Sequence, residues 1–483
     1  MKPPGASRPS EPVAGLPSDP SGSAPPPTRP GPSLPRQVAA LAVWPFFELV
    51  LNALVGVVDT ALAGRLSARA LDAIGVATYV GWLLSMLHNA VGIGAGALIA
   101  RAVGARRRAA ADAALGQALL LGLGWGVITA VALAVAAPWV SAIFRLPPAT
   151  AADVTTYLRV LSLGTAGGAV LLVGNAALRS AGDTRTPFFL MIGVNLLNAG
   201  LSVLLTFGPA PFGGFGVTGI AAGTAAAWLL GAVLVLAVLY RGHRTADLPL
   251  RLRPRRLAFR RVLAARIVRV GLPSLVENSG MWVGNAAIGG IVGTLMKRGG
   301  TDGLMGAHII GIRLESLSFL PGVAVGTAAA TLAGQNLGRR DADEAARAVH
   351  LCWAIAAAVM GVMGVLFVVM PEQLAALLAP GEAMAAVRAQ AAPLLIVCGP
   401  IQVFFATYLV LSQALRGAGD TRGPMAITWF GTFGVRLPAA WLFGVTFGWG
   451  LTGVWVALCG ELVLRGVLYA WRWRAGGWRT LRV

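Results

Sequence analysis

Charged residues are scarce in this sequence, at 12% of 483 residues, whereas hydrophobic residues make up 56%. A typical soluble domain carries about 25% charged residues. Apolar runs of roughly 20 residues recur along nearly the whole chain, and each is long enough to cross a bilayer about 30 Å thick. Because backbone groups in hydrocarbon must pair within their own segment, these runs are predicted to be helices. The composition therefore predicts an all-α integral membrane protein and excludes a soluble one.

Residue types that build catalytic and metal centres are also few. The three cysteines lie in separate apolar runs, at Cys352, Cys398 and Cys459, and are expected to pack as small hydrophobic residues. The four histidines are widely separated, and the spacing gives no nucleophile–base set, metal cluster or phosphate-binding loop. The sequence therefore predicts a protein that is not an enzyme and uses no cofactor.

The positive charge of the chain is distributed in loops. The formal net charge is +20, but the basic residues have no interleaved aromatic residues and no folded basic domain, so no nucleic-acid partner is expected. They concentrate in the loops that follow the even-numbered apolar runs, and such loops stay in the cytoplasm. Both termini are therefore predicted on the cytoplasmic side. Only Lys2 and Lys297 are lysines among 39 basic residues, a bias that points to a GC-rich bacterial genome and so to a bacterial inner membrane.

Twelve spans are predicted, six on each side of an arginine-rich segment. Residues 1–36 are rich in Pro, Ser and Gly and lack the apolar region of a signal peptide, so they are predicted to be disordered. The predicted division is a cytoplasmic tail at 1–36, an N-terminal six-helix bundle at 37–240, a cytoplasmic linker at 241–266, a C-terminal six-helix bundle at 267–473 and a tail at 474–483.

The two halves repeat each other. Ala177–Pro187 reads ALRSAGDTRTP, and Ala414–Pro424, 237 residues later, reads ALRGAGDTRGP. A row of small residues with a four-residue spacing also recurs, 234 residues apart. Its members are Gly92, Gly96, Ala100 and Gly104 in the first half and Gly326, Ala330, Gly334 and Gly338 in the second. The repeats run in the same direction, which predicts parallel halves related by an axis along the membrane normal, and the small residues predict close helix contacts.

Polar residues inside the spans are functional candidates because they are costly in hydrocarbon. In the first span, Glu48, Asn52 and Asp59 fall on one stripe, and Pro45 permits a kink because it removes a backbone hydrogen bond. The alternative for Asp59 and Glu48 is a position at the water interface, at the two ends of the span.

Further candidates lie in later spans. Asn198 and Ser202 share a face of the fifth span, with hydrogen bonding between helices as the structural alternative, and Thr224 of the sixth span could instead bond to its own helix. Arg436 and Glu461 are expected to pair, and the repeated AGDTR is expected to form a turn with an arginine partner. The remaining candidates are Asn175, Glu277, Asn285 and Glu315.

Three segments together resemble the multidrug and toxic compound extrusion (MATE) family. They are Val57–Leu66 (VVDTALAGRL), the repeated ALR…AGDTR, and Gly306–Pro321 with its GAH…RLESLSFLP pattern. The similarity covers about 38–470 and is closest to the bacterial DNA-damage-inducible (DinF-like) branch. The resemblance implies two six-helix bundles around a central cleft. It also implies export of organic cations or amphipathic compounds, driven by inward flow of H⁺ or Na⁺.

The resemblance further implies a cation site in the N-terminal bundle. In the family, the site uses an acid on the first helix, an Asn and an Asp one turn apart on the fifth, and a Thr on the sixth. Asp59, Asn198 and Thr224 match, whereas Ser202 stands where the second acid would be. Because Na⁺ needs several hard oxygen ligands and a proton needs a single buried carboxylate, we expect H⁺ coupling, with Na⁺ as the alternative. Candidates for substrate contact or a second protonation are Glu277, Asn52, Glu48, Asn175, Asn285 and Glu315.

Other functions remain open at this point. An exporter of one specific metabolite cannot be separated from a drug exporter by sequence. A flippase of lipid-linked precursors from the same superfamily should carry a strongly cationic cleft, and a passive channel or a non-transporting scaffold would not accumulate cargo against a gradient. The expected partners are small amphipathic or cationic substrates and membrane lipid, and the chain is expected to be a monomer.

Overall fold

The computed structural model describes residues 33–143, 146–209, 213–242, 250–253, 257–299 and 303–481. Within these ranges the chain forms helices and turns and no strand. The predicted tail at 1–36 lies outside the described residues as far as 32, and α1 begins at Leu34. Parts of the predicted linker, 243–249 and 254–256, and the last two residues of the C-terminal tail also lie outside the described residues.

The first half contains six long helices, each joined to the next by a short connection. Their bounds are α1 Leu34–Leu66, α2 Ala68–Gly104, α3 Arg108–Ile143, α4 Pro148–Ser180, α5 Arg185–Phe207 and α6 Val217–Arg241. Local signals mark the ends: the Ser67 hydroxyl accepts a hydrogen bond from the Ala70 amide at 3.0 Å, and Gly242 ends α6 with a left-handed backbone. The six predicted spans of this half are all present.

The second half repeats this pattern with more interruptions. Its helices are α7 Arg261–Gly299, α8 Leu304–Gly338, α9 Ala342–Val369, α10 Pro371–Leu378, α11 Ala385–Cys398, α12 Gln402–Gly417, α13 Arg422–Trp429, α14 Leu437–Trp441 and α15 Gly450–Arg474. Helices α11 and α12 form one bent span with an angle of 63° between them. Two π-helical turns, Phe430–Arg436 and Leu442–Thr446, join α13 and α14 into one continuous helical run over 422–446.

Most of these helices suit a membrane. Among the described residues, nine helices are long and apolar enough to cross a bilayer, and the bent α11–α12 pair would make a tenth. Helix α7 and the helical run 422–446 bring the total to twelve; α7 is 39 residues long but carries more polar residues. The twelve-helix fold in two bundles around a central cleft, predicted from the sequence, is confirmed.

In the part of the chain that the structure describes, the hydrophobic clusters that join the two halves lie toward one end. That end carries the loops after α2, α4, α8 and α12, and we refer to it as the basic-loop side. Here the start of α1, at Val38 and Leu41, packs into the hydrophobic core of the second half, and Ile267 of α7 packs into the core of the first. Toward the opposite side, the two clusters built around Leu62 and Ile288 each contain residues of one half. The cleft is therefore closed at the basic-loop side.

The predicted rows of small residues lie at close helix contacts. In α2, Gly92 faces Ala176 and Gly96 faces Ser180 of α4. In α8, Gly326 packs against α12 near Gln413. A methyl group at either α2 glycine would press on its neighbour, so the spacing allows the helices to approach closely.

Candidate functional site

A cavity of about 860 Å³ lies between the two halves. Most residues singled out from the sequence line it, although they come from four different helices. These lining residues are Pro45, Glu48, Asn52, Asp59, Asn175, Asn198 and Thr224. Four other candidates are not on the described lining: Ser202, Glu277, Asn285 and Glu315. The polar stripe predicted for α1 therefore faces the cavity.

One carboxylate oxygen of Asp59, on the cavity wall, lacks a donor in the part of the chain that the structure describes. This oxygen is Oδ1, and it is buried. A buried carboxylate oxygen without a donor is unusual, because such groups are nearly always paired. This oxygen is suited to hold a proton or a cation.

The predicted partners on α5 and α6 form a chain of hydrogen bonds. Ser202 Oγ donates to Asn198 Oδ1 at 3.3 Å, and Asn198 Nδ2 donates to Thr224 Oγ1 at 3.2 Å. Thr224 Oγ1 in turn donates to the Ile220 carbonyl at 3.1 Å. The structure thus brings Asn198, Ser202 and Thr224 together. Ser202 lies behind the cavity wall and fixes the Asn198 amide.

Two further amides complete the wall of the first half. Asn195 Nδ2 donates to Asn52 Oδ1 at 3.3 Å, which ties α5 to α1. Asn175 of α4 is buried, and its Oδ1 atom has no hydrogen-bond partner in the described part of the chain. Asp59 and Asn175 therefore each turn a buried, unpartnered oxygen toward one cavity.

Two repeat-related ion pairs stand at the cavity. Arg179 donates to both oxygens of Glu48, at 2.9 and 3.0 Å, and Arg416 donates to Glu277 Oε1 at 2.7 Å. Arg179 and Arg416 occupy the same place in the repeated ALR segment, and both line the cavity. Each pair joins the first helix of a half to the helix that carries the repeat. Sequence reasoning missed this pairing, although an arginine at one position in both repeats was a signal for it.

The repeated AGDTR forms a turn in both halves, as predicted. Asp183 Oδ1 accepts the Thr186 amide at 2.9 Å, and Asp420 Oδ1 accepts the Gly423 amide at 3.1 Å. Arg472 donates to Asp420 at 2.9 Å. The aspartates therefore stabilise the loops.

The remaining candidates lie inside the second half, away from the described cavity lining. Arg436 donates to Glu461 Oε2 at 2.8 Å, in agreement with the predicted pair, and to Asn285 Oδ1 at 3.0 Å. Arg465 also binds Glu461, and this partner was not anticipated although the two residues are one helical turn apart. Glu315 accepts a weak contact from Cys398 Sγ at 3.9 Å.

Comparisons with known proteins identify the class of this fold and site. The MatE family model matches residues 46–204 and 273–442, more than half of the chain. The chain therefore belongs to the MATE family, whose members are transporters rather than enzymes. This confirms the resemblance and the predicted class, a multidrug or cation antiporter; the assignment to the DinF-like branch stays a prediction.

Individual relatives agree with this assignment. The chain is 28% identical to the probable multidrug resistance protein NorM of Thermotoga maritima, over 94% of this chain and 95% of that one. It is 24% identical to the uncharacterized transporter YisQ of Bacillus subtilis, over 90% and 93%. An outward-facing multidrug resistance MATE transporter superposes with a TM-score of 0.81 at 22% identity, covering 93% of this chain and 97% of that one. A MOP-superfamily transporter of Pyrococcus furiosus, described as having a binding pocket of reversed polarity, superposes with a TM-score of 0.83 at 21% identity, with the same coverage.

Proposed function

We propose that this protein exports organic cations or amphipathic compounds in exchange for H⁺. The observation that carries the proposal is Asp59, an acid on the wall of a cavity of about 860 Å³ with a buried and unpartnered oxygen. Protonation of this carboxylate would remove its charge and change the packing of α1. This helix can bend at Pro45, because proline removes a backbone hydrogen bond. The multidrug resistance relatives support the cargo class.

The hydrogen bonds around Asn198 favour H⁺ over Na⁺. The oxygens of Asn198 and Thr224 already accept hydrogen bonds, from Ser202 and Asn198 respectively. Fewer lone pairs are then available to a metal ion, and Ser202 supplies no second carboxylate. A proton needs one acceptor, and Asp59 provides it.

We assign roles to the other candidates from their positions. Asn52 and Asn175 line the cavity and would contact cargo or the coupling ion. Glu48 and Glu277 hold arginines, and Glu277 is a candidate second protonation site. Asn285 and Glu315 support the interior of the second half.

We place the basic-loop side in the cytoplasm of a bacterial inner membrane, with both termini on that side. The bundles would then be 37–240 and 267–473, joined by the linker at 241–266, with cytoplasmic tails at 1–36 and 474–483. Since the cleft is closed at the basic-loop side, this conformation would face outward. The chain would act as a monomer in contact with lipid and bind no nucleic acid.

An exporter of a specific metabolite or a lipid-linked precursor flippase is the alternative. A flippase needs a cationic cleft, but the lining arginines, Arg179 and Arg416, are matched in number by the lining acids, Glu48 and Asp59. A drug-sensitivity screen in a host that lacks its own exporters would separate drug cargo from a metabolite.

Purified protein in liposomes tests the coupling directly. Uptake of a fluorescent organic cation is measured under an imposed pH gradient and then under a Na⁺ gradient. Wild type should accumulate the cation with the pH gradient, and Asp59→Asn should fall to the protein-free background. Asp72→Asn, which alters an exposed acid of α2, is the matched control and should transport normally. Normal transport by Asp59→Asn, or accumulation driven by Na⁺ alone, would overturn the proposal.

A further inference from the structure

The C-terminal ends of α2 and α8 cross each other at the basic-loop side. A methyl group built on Gly104 would overlap the Gln335 carbonyl oxygen, and one built on Gly338 would overlap the Arg101 carbonyl oxygen. One turn earlier, a Cβ atom on Gly334 would lie 2.6 Å from that of Ala100. The contact is reciprocal, because Gly104 and Gly338 are equivalent positions of the two repeats and each packs on the backbone of the other half.

Hydrogen bonds between the halves follow the same symmetry. Arg101 Nη2 donates to the Ala418 carbonyl at 2.7 Å, and Gln335 Nε2 donates to the Ser180 carbonyl at 3.2 Å. The two donors are 234 residues apart, the same offset as the crossing glycines. Both acceptors belong to the repeated ALR…AGDTR segment, at the ends of α4 and α12. Each half therefore donates to the repeat of the other.

The acceptors are groups that need an external donor. The last carbonyls of a helix have no partner in their own helix and carry partial negative charge. Two more donors serve this region: Thr331 Oγ1 bonds to the Arg179 carbonyl at 3.2 Å, and Arg101 Nη1 bonds to the Leu481 carbonyl at 2.6 Å. Separating the halves here would remove these donors from the carbonyls of Ser180, Ala418 and Leu481.

The crossing also forms the base of the cavity. Ala100, Thr331 and Gly417 line the cavity and lie within a few residues of the donors and acceptors. Arg179 connects the two regions directly, because its guanidinium binds Glu48 on the cavity wall while its carbonyl accepts the bond from Thr331. Loss of the Glu48 bond would therefore act on the end of α4 that meets α8.

We propose that this crossing is the gate between the cavity and the basic-loop side, and that transport requires its opening. We name it the α2/α8 latch: Arg101 and Gln335, the glycines Gly104 and Gly338, and the carbonyls of Ser180 and Ala418. The inference rests on the proposed function, since a gate matters only if cargo crosses. Arg101 contributes more than Gln335 because it is charged and serves two carbonyls.

A labelling experiment tests the latch without measuring transport. A cysteine introduced at Thr327, on the cavity lining, is labelled with a membrane-impermeant maleimide from either side of the membrane. The native cysteines Cys352, Cys398 and Cys459 are buried, and labelling of the protein without the Thr327 substitution is subtracted. Arg101→Ala should raise labelling from the basic-loop side roughly tenfold and lower it from the other side, because a lost charge-assisted hydrogen bond shifts a two-state equilibrium by about that factor. Gln335→Ala should give a smaller shift in the same direction.

The matched control is Arg107→Ala, which removes an exposed arginine from the loop after α2. It should leave labelling unchanged. Labelling of Arg101→Lys should fall between that of the alanine variant and wild type, because lysine keeps the positive charge but lacks the two guanidinium nitrogens that reach two carbonyls at once. The midpoint of thermal unfolding is measured for every variant, so that labelling of unfolded protein is excluded. Equal labelling in Arg101→Ala and Arg107→Ala would overturn the latch.

A cross-link tests whether opening is needed. With Ala100→Cys and Gly334→Cys, mild oxidation should join α2 to α8, since a small shift brings the Cβ atoms to the roughly 3.8 Å of a disulfide. The oxidised protein should bind cargo and not transport it, and dithiothreitol should restore transport. Transport by the fully cross-linked protein would contradict the latch. Wild type that never transports would instead contradict the proposed function.

Discussion

The two halves differ in the polar residues of their interiors, although their helices and several sequence segments repeat. In the first half, polar groups such as Asp59 and Asn175 face the cavity with unpartnered oxygens. In the second, Glu461 binds both Arg436 and Arg465, so charged groups are packed against one another. The same arrangement of helices thus places unpartnered oxygens on the cavity wall in the first half and a cluster of paired charges around Glu461 in the second.

This difference distinguishes the features that both halves share from a site that only the first half contributes to the described cavity lining. Both halves keep an acid–arginine pair, an aspartate turn and one side of the α2/α8 latch. Among the described residues that line the cavity, the two acids, Glu48 and Asp59, lie in the first half, whereas Glu277 of the second half lies behind the lining. We infer that the second half acts as a rigid body against which α1 and its neighbours move.

The largest expected effect comes from breaking the network of the second half. Glu461→Gln leaves two buried arginines without their common counterion, and loss of one partner of a buried pair costs about 3–5 kcal/mol. The midpoint of thermal unfolding in detergent should fall steeply. Asp59→Asn is the matched variant from the first half and should shift this midpoint little, because Asp59 Oδ1 has no partner to lose. Similar losses in both variants would remove the contrast between the halves.

A smaller effect is expected from the two equivalent ion pairs. The Glu277 side chain is fully buried and that of Arg416 is 11% exposed, whereas Glu48 and Arg179 are 10% and 20% exposed. Glu277→Gln should therefore destabilise the protein by about 2–3 kcal/mol, and Glu48→Gln by about half of that. Chemical denaturation of the two variants, side by side, measures the difference. The reverse order would show that burial does not set the strength of these pairs.

Much of the fold could be predicted because it depends on patterns that the chain repeats. The apolar runs predict the spans, and the rows of small residues predict close helix contacts at Gly92 and Gly96, where the structure has them. The stripe of α1 was also predictable, since helical periodicity alone places Glu48, Asn52 and Asp59 on one face.

The partners of the polar residues could not be predicted in the same way. Glu48 and Arg179 are far apart in sequence, and which helices meet depends on packing of the whole bundle. Glu277 was expected as a site residue, but it lies behind Arg416, since the arginine occupies the cavity wall. The π-helical turns after Trp429 were likewise invisible, because the apolar pattern there suits an ordinary helix.

The smallest expected effect compares one amide from each half. Asn285 accepts from the charged Arg436 at 3.0 Å, whereas Asn52 accepts from a neutral amide at 3.3 Å on the cavity wall. Asn285→Ala should therefore cost about 1.5 kcal/mol of stability, and Asn52→Ala about 0.6 kcal/mol, the average for a hydrogen bond between membrane helices. Unfolding midpoints and cation uptake are measured on the same preparations. Asn52→Ala should slow uptake more than Asn285→Ala despite its smaller effect on stability, because Asn52 lines the described cavity and Asn285 does not. Slower uptake in Asn285→Ala than in Asn52→Ala would instead place functional groups in the second half as well.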